Sequence, residues 1–197
     1  MGFDLSETLK TKNLFFQPAT SRIGFSILSL VGLSACRSPF LQSIDAEGAV
    51  IKGPLDNAFV FYDYNFNGIW DSGEPFTKTE ADGSFVLNGK RGYSFTVRTD
   101  ETTIDASSGE AIPNIMLKAP SGSGVVTPTT TIMEETGLDG ASVNAILGLP
   151  ADLDPTQFNP FSEDADPEMA LAAEKVAYQV MTTVTAISSA VEGTGAS

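Results

Sequence analysis

Between residues 48 and 127 the apolar positions of this chain come in short runs between turn formers, alternating with polar ones at 93–99, and after residue 128 they recur every three or four positions. The first pattern predicts strands, because successive side chains of a strand point to opposite faces. It falls at residues 48–51, at 57–63, at Phe85, Val86 and Leu87, at 93–99 and at 112–117, and these runs are rich in the aromatic and β-branched residues that strands favour. Turn formers separate them: Lys52-Gly53-Pro54 ends the first run, Asp82-Gly83 opens the third, and Ser107-Ser108-Gly109 precedes the last. Phe59, Phe61, Phe85, Phe95 and Val97 are the candidate core.

The second pattern predicts three helices. Thr127 can cap a helix that starts with Pro128 and stops before Gly137, and Asp139 can cap another that stops before Gly148. Asp166-Pro167-Glu168 opens the longest, with an acid in the first turn to complement the helix dipole. Its apolar residues Met169, Ala173, Val176, Ala177, Val180, Met181, Val184, Ile187 and Val191 form one stripe, read as a face packed on the shorter helices. The acidic connection before it, with Asp152, Asp154, Glu163, Asp164 and Asp166, matches no cation-loop spacing and reads as caps and turns.

One stretch carries chemistry. From Asp63 to Glu74, side-chain oxygens stand at the first, third, fifth, ninth and twelfth positions as Asp63, Asn65, Asn67, Asp71 and Glu74. That spacing suits Ca2+, a hard cation with six to eight oxygen ligands, the seventh position (Ile69) giving its backbone carbonyl and Glu74 closing the set in bidentate fashion. Gly68 occupies the sixth position, where a sharp turn needs positive φ. Asn67-Gly68 and Ser72-Gly73 are also turn formers, so a plain hairpin bend is the competing reading; turn chemistry alone requires no closing glutamate. Strand-like residues flank the loop on both sides, whereas an EF-hand or dockerin loop adjoins helices.

Gly53-Pro54-Leu55, Asn57-Ala58-Phe59-Val60-Phe61, the loop, Gly73-Glu74-Pro75 and Glu80-Ala81-Asp82-Gly83-Ser84-Phe85 together resemble the prealbumin-like β-sandwich repeats of bacterial surface proteins. The B-type repeats of serine-aspartate adhesins and carboxypeptidase-regulatory-like domains are the relatives concerned. Val125 to Ile132, then Gly148-Leu149-Pro150 and a long helix, are similar to the region that follows such repeats. The resemblance covers about residues 47–191. It implies a prealbumin- or Ig-like β-sandwich followed by a small all-α segment, with a structural or adhesive role on the bacterial cell surface and surface proteins or glycans as partners.

The N-terminal part reads as an export signal. Residues 23–33 are apolar or small and uncharged, too short for the ~20 residues of a membrane span and suited to a secretory apolar region. Leu33-Ser34-Ala35-Cys36 resembles the bacterial lipobox, which implies cleavage before Cys36 and a lipid on its thiol, hence attachment to the outer or cytoplasmic membrane. The segment before the apolar run is longer than most such signals and carries Asp4 and Glu7. The chain so divides into residues 1–36 (signal and lipidated cysteine), 37–46 (tether), 47–127 (β-sandwich with the cation loop) and 128–197 (helical segment). Cys36 is the single cysteine, so no intrachain disulfide exists.

Composition narrows the function classes. Among 197 residues there are 11 basic and 25 acidic ones, a net charge of −14, which repels a phosphate backbone and excludes nucleic acid as a partner. The absence of histidine removes Ser-His-Asp and Cys-His catalysis and histidine-ligated zinc. No phosphate-binding glycine motif is present. The reading is therefore non-enzymatic. Two alternatives stay open: a carbohydrate-binding module using exposed Tyr62, Tyr64, Phe66 and Trp70, and a hydrolase using two converging carboxylates.

Overall fold

The structure, a computed structural model, describes residues 43–90 and 92–193, with side chains described to residue 187. All of these lie in one compact unit. Ten strands precede three helices: β1 (Ser43–Val50), β2 (Leu55–Asp56), β3 (Phe59–Tyr62), β4 (Phe76–Lys78), β5 (Ser84–Lys90), β6 (Phe95–Arg98), β7 (Ile104–Asp105), β8 (Glu110–Ala111), β9 (Met116–Ala119), β10 (Val125–Val126), α1 (Pro128–Thr136), α2 (Gly140–Leu147) and α3 (Pro167–Gly193). The strands form three sheets, ordered β10-β1-β5, β2-β7-β8 and β4-β3-β6-β9. β1 pairs antiparallel with β5 along its length and parallel with β10, and the four-stranded sheet is antiparallel throughout.

A single apolar cluster takes Val50, Phe85, Leu87 and Val126 from the first sheet and Val60, Tyr62, Phe95, Val97, Leu117 and Ala119 from the third. Phe85 and Phe95 meet edge to face with centroids 5.3 Å apart, and Tyr62 stacks on Phe95 at 4.9 Å. Close packing of this kind leaves no room at Gly89, where an added Cβ would run into the Tyr62 ring.

α1 closes what would otherwise be an open sheet edge, a standing liability for pairing with other chains. Lys118 in β9 turns its backbone away from β6, donating its N–H to Thr131 Oγ1 at 2.9 Å while its carbonyl accepts from Thr130 Oγ1 at 2.8 Å. The helix ends follow the sequence pattern. Thr127 and Thr130 form a reciprocal capping box, Asp139 accepts from Ser142 N–H, and Gly137 and Gly148 take left-handed conformations at the C-termini. Asp166 Oδ1 accepts from the N–H groups of Glu168 and Met169, and Asp154 Oδ1 from Thr156, so these connection acids serve as cap and turn.

Three local expectations shift. β1 starts at Ser43, within the stretch read as tether, because residues 43–46 find partners in 87–90 of β5. Of the strand expected at 112–117 only Met116 and Leu117 are extended, as the start of β9, and residues 112–115 lie between β8 and β9: Pro113 has no N–H to donate, and Asn114 sits at φ 59°, outside strand geometry. Among the described side chains the apolar stripe of α3 is covered as far as Met181, which packs on the sheet cluster. Val176 packs on Leu149 and Leu153, whereas Val184 and Ile187 are exposed. Among the described residues no helix is long and apolar enough to cross a membrane.

Candidate cation loop

β3 delivers Asp63 to the loop and β4 begins just after Glu74 and Pro75, so the loop is clamped where two antiparallel strands diverge. Asp63 is 2% exposed and Glu74 7% exposed. Asp63 Oδ1 accepts from Asn67 N–H at 3.1 Å and Oδ2 from Gly68 N–H at 2.7 Å, which winds the first half of the loop around the carboxylate. Gly68 has φ 72°, as its position demands, and Phe66 is also left-handed at φ 60°. Glu74 reaches back across the mouth, Oε1 accepting from Tyr64 N–H at 2.7 Å and Oε2 from Asp71 N–H at 3.0 Å. Both halves are thus drawn onto the two buried carboxylates.

The remaining donors meet at Asp71. Its Oδ2 accepts from the amides of Asn65 and Asn67, each at 2.8 Å, and these two hydrogen bonds hold the Asp71 carboxyl below the usual carboxylate range. Asn65 and Asn67 accept with their own Oδ1 atoms from Asn67 N–H and Ile69 N–H. The Ile69 side chain is 56% exposed, consistent with a position that has only its carbonyl to contribute. Among the described residues no three His, Cys, Asp or Glu side chains gather as a metal-holding group; the donor set here mixes carboxylates with amides and a carbonyl.

Whether these residues fit a hard cation is a question of lone pairs and charge. Each oxygen of Asp63 and Glu74 accepts one N–H and retains acceptor capacity. Neither carboxylate meets an ammonium or guanidinium: the ion pairs among the described residues are Lys52–Asp105 and Lys118–Glu135. Buried charges are ordinarily paired or bound to metal, whereas among the described residues these two carboxylates, each more than nine-tenths buried, have only N–H partners. Asn65 and Asn67 hold their amide oxygens on backbone N–H groups and turn their NH2 groups to Asp71; each oxygen keeps a second lone pair, and facing it toward Asp71 instead would give up those bonds. The donor set fits.

The aromatic residues fall into two groups around the loop. Tyr62, expected on an exposed row, is buried in the core at 3% exposure, where burial and the neighbouring Tyr64 push its phenol pKa up. Tyr64 is half-buried against Tyr93, and Phe66 stacks on Tyr93. On the other side Trp70 and Phe76 meet at 5.3 Å, both face Phe59, and the Trp70 Nε1–H donates to the Glu74 carbonyl at 2.9 Å. Phe59, expected in the core, is half-buried on the outward face beside Arg98, whose Nε donates to the Gly68 carbonyl at 2.9 Å. Phe76 follows the loop by two residues, whereas Arg98 carries no local signal and only strand register brings it there. Cys36 lies outside the described residues.

Comparison of the chain with protein-family models, with curated proteins and with solved structures finds no match in any of the three.

Proposed function

We propose that this chain is a non-enzymatic, calcium-binding structural or adhesive module of a bacterial cell-surface lipoprotein, built on a prealbumin-like β-sandwich. The observation that carries the cation reading is the pair of buried carboxylates, Asp63 and Glu74, which close the loop with no counter-charge among the described residues. Asp63, Asn65, Asn67, Asp71, Glu74 and the Ile69 carbonyl would hold the ion. Bound calcium would supply positive charge to a loop that has three carboxylates and would fix the divergent ends of β3 and β4. Two sheets contributing to one apolar cluster support the sandwich, and the apolar run before Cys36 supports export and lipid attachment.

A loop between strands with three charged ligands belongs to the weaker extracellular range, with a dissociation constant of ~0.1–1 mM. Because the unfolded chain offers no such site, calcium at a hundred times that constant should stabilise the fold by about 2.7 kcal/mol. Calorimetric titration together with melting curves in calcium and in chelator tests this. Glu74→Gln is expected to abolish most of the calcium-dependent rise in melting temperature. A wild type that takes up no calcium at millimolar concentration, and melts identically in chelator, reduces the twelve residues to a turn.

A second reading has its own observation. Trp70 is 40% and Phe76 54% exposed beside the loop, and aromatic surface left open to water in a folded protein commonly marks a contact site. Carbohydrate binding through this second aromatic group, rather than through the row that includes Tyr62, is the function it favours.

A further inference from the structure

The outward face of the four-stranded sheet differs from the rest of this acidic molecule. Register places Lys78, Phe59, Arg98 and Met116 in one row across β4, β3, β6 and β9. Phe59 stacks on Phe76 with centroids 5.1 Å apart and stands perpendicular to Trp70 at 6.1 Å. The three rings form one contiguous aromatic cluster in which Phe76 and Trp70 are exposed, Trp70 stands edge-on to the other two and Phe59 is half-buried, with exposed Met116 at its end. Arg98 and Lys78 stand on either side of Phe59 in this row, while the loop carboxylates of Asp71 and Glu74 adjoin the rings at the Trp70 end.

Those cations are available. Arg98 spends its Nε on the Gly68 carbonyl and makes no ion pair among the described residues, so the terminal nitrogens of its planar fork remain for a ligand. A guanidinium anchored in this way is suited to a carboxylate, which it can meet through two parallel hydrogen bonds. Lys78, across Phe59 from Arg98, donates to Asn57 Oδ1 at 2.9 Å and forms no ion pair among the described residues. The carboxylate nearest in influence, Asp100, accepts from Thr102 N–H and hydroxyl instead.

The shape selects among anionic ligands. None of the principal cavities among the described residues is lined by Phe59, Trp70 or Phe76, so the platform is open, and an open ring platform suits an extended polymer better than a small molecule that needs enclosure. A net charge of −14 disfavours a polyanion with one phosphate per residue. It is less adverse to a polymer that carries carboxylates on alternate sugars and presents ring faces between them.

We propose that this face binds an acidic polysaccharide, with Phe59, Trp70 and Phe76 stacking on sugar rings and Arg98 with Lys78 receiving uronate carboxylates. The proposal rests on the carbohydrate reading above and narrows it to one chemical class. Trp70 is the only tryptophan, so its fluorescence reports on the platform directly.

The test uses the purified full chain in calcium-containing buffer at physiological salt. Its probes are a hyaluronan decasaccharide, a glucuronoxylan oligosaccharide, their carboxyl-esterified counterparts, cellohexaose and poly-glutamate. The expected result is saturable binding of at least one uronate oligosaccharide, weakened at least tenfold by esterification. Arg98→Gln and the exposed-site variant Phe76→Ala should each weaken it at least tenfold with the melting temperature preserved. If esterified or neutral sugars bind as well as the acids, and Arg98→Gln changes nothing, the acidic class is wrong while carbohydrate binding stands. Binding of no oligosaccharide overturns both. Poly-glutamate binding as tightly through the same residues would make the face a surface for acidic peptides and overturn the proposal.

Discussion

Asp105 shows how one residue can tie distant segments together. It is buried in β7, 2% exposed, where it accepts from Lys52 Nζ at 2.8 Å and from Ser107 N–H at 2.9 Å. Burial alone would raise its pKa; the Lys52 ammonium and the Ser107 hydroxyl and N–H outweigh that and lower it. A carboxyl whose folded pKa lies below its unfolded value of about 3.9 gives stability that is present above that pH and lost as pH falls through the folded pKa. Asp105→Asn is therefore expected to melt well below the wild type at pH 6, by about 3 kcal/mol for breaking a buried pair, and the gap should narrow as the pH drops below about 4. Melting curves of both proteins between pH 3 and 7 decide it; a gap independent of pH would mean that the charge is not what stabilises. Gly53 belongs to the same cluster, since an added Cβ there would strike Asp105 and Ser107.

At the scale of elements, the contact to examine is α1 on β9. Thr130 is fully buried, its Oγ1 accepting from Thr127 N–H at 2.8 Å and donating to the Lys118 carbonyl at 2.8 Å. Thr130→Val keeps the shape but leaves a buried N–H and a buried carbonyl without this partner, a loss of about 2 kcal/mol. Denaturant unfolding should show that drop with an unchanged slope, since no surface is newly exposed in the unfolded state. A loss below about 0.5 kcal/mol would show that Thr131, which also meets Lys118, holds the edge by itself.

For the whole molecule, the acidic surface and the proposed anchor belong together. Cleavage before Cys36 would remove Lys10, Lys12 and Arg22 but only Asp4 and Glu7, so the exported part would be more acidic than the complete chain. Such a surface favours divalent cations and solubility outside the cell. Mass spectrometry of the membrane fraction of an expressing bacterium is expected to find an acylated N-terminal Cys36, and Cys36→Ser to release the protein from detergent extracts. An intact N-terminus at Met1 without lipid would refute the anchor.

The sequence by itself determined the local features: the twelve-residue loop with its oxygen spacing and Gly68, the helix caps at Thr127, Asp139 and Asp166, and the strand runs around Phe59, Phe85 and Phe95. Each depends on residues within a few positions of one another, where backbone geometry and turn chemistry suffice. Tertiary structure decided which way the strands face. Period-two alternation says that Phe59 and Val60 point to opposite sides, not which side is the core, and here both sides carry aromatics. Val60 and Tyr62 went inward and Phe59 outward because β3 pairs with β6, and β6 in turn with β9, in a register that aligns them with Val97, Phe95, Leu117 and Ala119. The same long-range pairing brought Arg98 to the loop. It also left Val184 and Ile187 of the α3 stripe uncovered, because burial of a helix face depends on how far its neighbours extend, and no spacing within the helix encodes that.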